Sequence, residues 1–194
     1  MKKLNLVLLA LFLSIVFLYG PETSIASEDS KPRTILSVSD DEIQSMTKEQ
    51  SQKIYDWLYS ERDRIIAESS PEAQKIYAEY AIYKEKDKQR REIEYSYLEK
   101  YMPGKVKLDN FGNKGYMLTS AEKKQMEDYL TQYHPEWVQL KEFRKQFLKT
   151  KGKQLRAINI NAIPKLRKSN NEYQRFEQLK KIIHQKLSEL YKDK

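Results

Sequence analysis

The sequence predicts an all-α protein, elongated, with one long helix over about 71–102 and a small β-hairpin near 105–118. Three observations carry that expectation. Apolar residues recur at three- and four-residue steps through most of the 194 residues, the period of a helix buried along one face. Several of those runs open with Thr or Ser followed three residues later by Gln or Glu, the pattern of a capping box. Three of the five glycines fall within 103–119, so the turn-forming residues are gathered in one place.

The chain opens on a targeting pattern. Met1-Lys2-Lys3 is a short basic start, Leu4 to Tyr19 is apolar almost throughout, and Gly20-Pro21 is followed by small residues at Ser24-Ile25-Ala26. These are the three regions of a secretory signal, with the cut expected after Ala26. An uncleaved anchor is the alternative, although the run is shorter than the ~20 residues a spanning helix prefers. The two-lysine start points to a bacterial envelope, and to the periplasm ahead of the extracellular space. Residues 1–26 are therefore read as the signal peptide, 27–46 as an extended or disordered lead-in and 47–194 as a single helical domain. The lead-in carries one short apolar patch, Ile35-Leu36-Ser37-Val38, and an acidic triplet, Asp40-Asp41-Glu42, suited to starting one helical turn.

Within the helical domain the first capping box is Thr47 with Gln50. Ile54, Trp57, Leu58, Ile65 and Ile66 then trace an amphipathic helix to about Glu68. Ser70-Pro71-Glu72 places an N-cap, a first-turn proline and a first-turn acid in order. The helix they open runs to Met102, where Pro103-Gly104 stops it. Its ends are apolar and aromatic (Ala73, Ile76, Tyr77, Tyr80, Tyr83; then Ile93, Tyr95, Tyr97, Leu98, Tyr101). Its middle, Lys84 to Glu94, is almost wholly charged, with Asp87–Arg91 and Glu85–Lys88 spaced for local ion pairs. That reads as a helix bridging two packing regions, with a bend or loop in the middle as the alternative.

Lys105 to Leu108 and Gly115 to Leu118 are predicted to pair as the hairpin. Its connection, Asp109 to Lys114, resembles a calcium loop only superficially, because the twelfth position is Ser120 where a bidentate Glu is needed. It is read as a turn. Thr119 with Glu122 opens a helix through Met126, Tyr129, Leu130 and Tyr133. Pro135-Glu136 opens another through Trp137, Val138, Leu140, Phe143, Phe147 and Leu148, ending near Gly152. Leu155 to Pro164 alternates at Ile158, Ile160 and Ala162 and is left open between a strand, a helix and an extended arm. Ser169 with Glu172 is the third capping box. It precedes a final stripe of Tyr173, Phe176, Leu179, Ile183, Leu187 and Leu190.

Charge is unevenly placed. The chain carries a net +8. Residues 141–194 hold 16 basic and 5 acidic side chains, a net +11, whereas 27–140 hold 18 and 22, a net −4. Lys149, Lys151, Lys153 and Arg156, with Lys165, Arg167 and Lys168, flank the open segment. They are the candidate contacts to an anionic surface such as lipid, lipopolysaccharide or a wall polymer. Export argues against a nucleic-acid partner.

Several chemistries are excluded outright. With no cysteine and two histidines, disulfide frameworks, thiolate zinc sites, thiol catalysis and multi-histidine metal cages have no material. No Gly-x-Ser-x-Gly, Walker or His-Glu-x-x-His pattern is present. No catalytic, cofactor-binding or metal residue is assigned, and no cofactor is expected. His134 and His184 are read as cap and boundary residues. Tyrosines at four-residue spacing are the candidate partner contacts: Tyr97 and Tyr101, and Tyr129 and Tyr133.

The function expected from these readings is a non-enzymatic helical binding or assembly protein of the envelope. It would act through a protein partner or self-association, touching membrane only through its N-terminal signal. A periplasmic holdase chaperone, an anionic-surface binding protein and, more remotely, a glycan hydrolase with paired carboxylates are the alternatives.

Overall fold

The computed structural model describes residues 33–192. The signal expected over 1–26, and 27–32 of the lead-in, lie outside the described residues. A 3-10 turn (Ile35–Ser37) leads into α1 (Asp40–Ser45), α2 (Lys48–Ala67) and α3 (Pro71–Tyr101). Strands β1 (Val106–Leu108) and β2 (Lys114–Tyr116) follow, then α4 (Ser120–Tyr133), α5 (Pro135–Thr150), α6 (Gly152–Ser169) and α7 (Asn171–Leu190). The chain is all-α with one small antiparallel hairpin.

Helix starts follow the residues that can satisfy free amides. Thr47 and Gln50 exchange both bonds of a capping box, as do Thr119 and Glu122, and Ser70 accepts from the Ala73 amide ahead of Pro71. The third box does not form. Ser169 is the last residue of α6, its hydroxyl donating to the Lys165 carbonyl. Asn170 instead leaves helical geometry and accepts from the Tyr173 amide at 2.7 Å. An Asn side chain caps as well as Ser does, and here it stands where the chain turns.

Three further expectations are corrected. In the segment read as an extended lead-in, Ile35–Ser37 and Asp40–Ser45 are helical, the second at the acidic triplet where one turn was expected, and Ile35, Val38 and Ile43 are buried. The second strand is Lys114–Tyr116, starting one residue and ending two residues earlier than expected, in the register Val106–Tyr116, Lys107–Gly115 and Leu108–Lys114. The segment 155–164 is neither strand nor arm but lies inside α6, with Pro164 within the helix. The alternation at Ile158 and Ile160 is incidental. The core takes Leu155, Ile158, Ala162, Ile163 and Leu166 at helical spacing and leaves Ile160 61% exposed.

Burial is divided between two clusters. The larger packs α2 against α7, with the 3-10 turn, α1, the first turns of α3 and the inner face of α6 around it. Helices α2 and α7 run antiparallel, since Arg64 meets Glu172 near one end and Tyr55 meets His184 near the other. The smaller cluster holds Tyr97, Leu98, Met126, Leu130 and Trp137, from the last turns of α3, from α4 and from the start of α5. Helix α3 belongs to both. At 31 residues it is roughly 46 Å long, and its charged middle is helical throughout.

The reason lies in one continuous stripe. Ala73, Ile76, Tyr77 and Tyr80 are followed at the same helical spacing by Asp87, Arg90 and Glu94, then by Tyr97 and Leu98. The middle of the stripe is charged, yet it faces inward. Glu94 is 2% exposed. It is bonded by the Arg90 guanidinium, by the Tyr116 hydroxyl at 2.9 Å and by the Trp137 indole N–H at 3.1 Å. Asp87 accepts from Arg90 at 3.0 Å and from Arg144 of α5 at 3.2 Å. Of the two local pairs expected, Asp87–Arg91 forms at 3.5 Å. Glu85 instead accepts from Gln89. The pairs Glu94–Trp137, Asp87–Arg144 and Glu79–Lys151 set α5 antiparallel along α3.

The hairpin connects the two clusters a second time. Its strands lie beside the end of α3, where Tyr95 donates to the Lys114 carbonyl. Its tip reaches the larger cluster, with Phe111 4.6 Å from His184 and 6.3 Å from Tyr55 between ring centres. Asp109 shapes that tip by accepting from the Phe111 and Asn113 amides. Gly112 sits there at φ +80°, and a Cβ on it would fall 2.1 Å from the Tyr191 hydroxyl, so both conformation and space require glycine.

Two outcomes follow. Replacing Glu94→Ala leaves Arg90, Tyr116 and Trp137 short of an acceptor and should cost about 3 kcal/mol in urea unfolding. Arg90→Met with Glu94→Met should recover part of that loss. A change below about 0.5 kcal/mol for Glu94→Ala would contradict the assignment.

The second outcome concerns acid. Hydrogen bonds from Lys105 and from Thr119 hold the Glu122 carboxyl well below its usual 4.5, at about 2. Asp109 is also held low: burial opposes ionisation there, but the Asn113 side chain and the tip amides outweigh it. Both carboxyls have folded values below their unfolded ones, so their support is present at neutral pH and declines as pH falls from about 4.5 towards 2. Hydrogen exchange at the hairpin and the start of α4 should accelerate across that window, and Lys105→Gln should shrink the acceleration, because it brings the folded value of Glu122 closer to the unfolded one. Acceleration confined to α7 would contradict this.

Candidate functional site: an aromatic groove between α3 and α5

Antiparallel packing of α3 and α5 leaves one side of their contact open. The resulting cavity, about 650 Å³, is walled by α3 from Lys86 to Tyr101 and by α5 from Glu136 to Phe143, and is closed at one end by Tyr129 and His134. That volume is in the range of small-molecule and peptide sites.

Three of the four tyrosines named from sequence line this end, and the fourth, Tyr133, stands beside Tyr129. The ring centres of Tyr97, Tyr101 and Tyr129 form a triangle with 5.0 Å sides, and Tyr133 stands 4.8 Å from Tyr129. They are not equivalent. Tyr97 is buried and belongs to the smaller core, whereas Tyr101 and Tyr133 are 44% and 58% exposed. Four-residue spacing explains the pairs within α3 and within α4, and the crossing of those helices joins them.

The hydroxyls of Tyr101 and Tyr129 lie 2.8 Å apart. With Tyr129 donating, this bond lowers the Tyr101 pKa, assisted by Lys100, and raises that of Tyr129. The Lys100 ammonium lies 4.9 Å from the Tyr101 ring centre. At the far end Lys86 lies 4.1 Å from the Phe143 ring centre, so a cation backed by an aromatic face marks each end of the groove.

His134 is the residue shared by the end of α4 and the start of α5, as its sequence position before Pro135 suggested. Its Nδ1 donates to Glu136 at 3.0 Å, a bond that lowers the Glu136 pKa. Glu136, Gln139, Leu140 and Phe143 complete the α5 wall. Nothing in the sequence marks them as a site beyond their three- and four-residue spacing. What the lining offers is stacking faces, amide and carboxylate hydrogen-bonding groups, and two ammoniums. That suits recognition of an amphipathic segment.

The candidate anionic-surface contacts lie elsewhere. Apart from Lys151, they stand on helices and not on a loop, because the segment they flank is helical. Lys149 is in the last turn of α5 and Lys151 joins α5 to α6. Lys153 and Arg156 open α6, and Lys165, Arg167 and Lys168 end it. Lys151 is bound to Glu79 at 3.0 Å and Arg167 to Glu177 at 3.3 Å. Among the described residues there is no group of three or more His, Asp or Glu side chains placed to hold a metal ion. No helix among them is long and apolar enough to cross a membrane.

No family model matches the chain, and neither curated proteins nor solved structures give a match.

The hydroxyl pair is testable by ultraviolet titration. Tyr101 should ionise below the ordinary tyrosine value of 10.0. Tyr129→Phe should move it back upwards by removing the donor, while stability changes by less than about 1 kcal/mol. A titration curve unchanged by Tyr129→Phe would mean that the two hydroxyls do not meet.

Proposed function

We propose that this protein is an exported, non-enzymatic binding protein of a bacterial envelope, placed in the periplasm. In this reading the groove between α3 and α5 holds a segment of a protein partner. The basic start, apolar run and small residues before Ser27 support export. The observation that carries the binding reading is the convergence of Tyr97, Tyr101 and Tyr129 at one end of an open cavity of about 650 Å³, with Tyr133 beside Tyr129. Exposed tyrosines give large contact area at low entropic cost and are enriched at protein interfaces. Gln89 and Gln139 on opposite walls supply donors and acceptors of the kind a peptide backbone needs.

The test is site-directed photocrosslinking in cells. A photoreactive residue replacing Gln139, inside the groove, should capture a discrete envelope protein, and one replacing Lys107, on the hairpin, should not. The captured segment, made as a peptide, should bind the purified chain and lose more than about tenfold in affinity on Tyr101→Ala, as an aromatic anchor does. Capture of glycan alone, identical adducts from both positions, or a peptide indifferent to Tyr101→Ala would overturn the reading.

A further inference from the structure

Helix α6 is the only helix longer than one turn, among the described residues, without a single acidic side chain. Its inner face is consumed by the larger core through Leu155, Ile158, Ala162, Ile163 and Leu166, and by Asn159, which accepts from the Tyr77 hydroxyl at 2.6 Å. Its outer face is therefore fixed in orientation. Along the centre of that face run Ala157, Ile160 and Pro164, all exposed, with Ile160 the most exposed aliphatic residue of the helix at 61%. Basic residues stand at both ends of this strip: Lys153 and Arg156, then Lys165, Arg167 and Lys168. The 15 steps from Lys153 to Lys168 span about 22 Å.

Lys84, Arg90, Arg144, Lys151 and Arg175 each meet a carboxylate. Of the five on α6, Arg167 alone does. Lys153, Arg156, Lys165 and Lys168 have no ion-pair partner among the described residues, and no carboxylate of the helix itself offsets them. A solvated surface with both signs interspersed gives no net attraction to an anion. An acid-free face with four uncommitted cations does.

We infer that the outer face of α6 docks on an anionic lipid bilayer surface, with Ile160 entering the headgroup region and the basic ends resting on lipid phosphates. The apolar centre selects a bilayer over a soluble polyanion. A charged polymer would contact the lysines and arginines and leave Ile160 in water, whereas a membrane surface accepts both. The surface lies on a different helix from the groove's walls, so the inference does not depend on what the groove holds.

The absence of cysteine makes the test direct, because Ile160→Cys carries the only thiol. With an environment-sensitive fluorophore on that thiol in the full chain, equimolar phosphatidylglycerol and phosphatidylcholine vesicles should give a blue shift and a gain in intensity. Pure phosphatidylcholine should give neither. The signal should fall as salt rises, since screening shortens from ~10 Å at 0.1 M to ~3 Å at 1 M. Lys153→Gln with Lys168→Gln should raise the half-maximal lipid concentration about 25-fold, roughly fivefold per charge. The same fluorophore on Lys107→Cys should not respond, which separates docking of α6 from attachment through residues 1–26.

No shift on anionic vesicles, an equal shift on phosphatidylcholine, or an equal shift on soluble dextran sulfate would overturn the inference. The last would assign the face to a polyanion instead.

Discussion

A carboxylate removed from water must be met by donors, and Glu94 is met by three from different parts of the chain. Arg90 comes from one turn earlier in α3, Trp137 from the first turn of α5, and Tyr116 from the second strand. Burying a charge costs several kcal/mol before any pairing, and the pairing offsets this only when geometry is good and the remaining lone pairs are used. Sliding α5 along α3, or shifting the hairpin register by one residue, would leave a donor or the carboxylate unmatched. Glu94 thereby couples the position of α5 to that of the hairpin. The exposed ion pairs elsewhere have no comparable hold, being worth tenths of a kcal/mol each.

That coupling has consequences at both ends of α3. Because Glu94 and Asp87 hold α5 in register, Tyr83 stacks on Phe147 at 4.4 Å and the groove opens on the adjoining side. Because Tyr116 is held, the hairpin projects along α3 and places Phe111 and Gly112 against His184 and Tyr191 of the larger core. Two modest cores, each small for its share of the chain, are thus tied by a helix and by a hairpin. Hydrophobic burial supplies most of the stability, but the polar cluster decides how the two clusters are arranged.

How much of this could be read in the sequence depended on how local the cause was. Thr47 with Gln50, Ser70 with Pro71, and Thr119 with Glu122 act within four residues, and each marks a helix start. The stripe of α7 from Tyr173 to Leu187 is equally local. Ser169 misled because a serine at the end of one helix can bond back to its own carbonyl, leaving the next residue to cap. Ile158, Ile160 and Ala162 misled because a short alternating run fits two periods, and only contact with the larger core chose the helical one. Ile35 and Ile43 were drawn into that core by contacts with α7 that no local pattern announces. At the groove, the tyrosines were visible from their spacing, and Glu136, Gln139 and Phe143 were not, since a wall exists only once α3 faces α5. Glu94 looked like one charge among many. Its signal was its position, continuing the inward stripe of α3 four residues after Arg90 and three before Tyr97.

The arrangement of the two clusters therefore depends on the charged middle of α3 being an inward-facing, paired stretch of helix and not a solvated linker. Native-state hydrogen exchange of the amides from Lys86 to Glu92 measures this most directly. If Asp87, Arg90 and Glu94 bind this stretch to α5 and the hairpin, those amides exchange only through the opening that also exposes Leu98 and Leu130, with matching denaturant dependence. Exchange of the same amides at near-unfolded rates, while Leu98 and Leu130 remain protected, would contradict it.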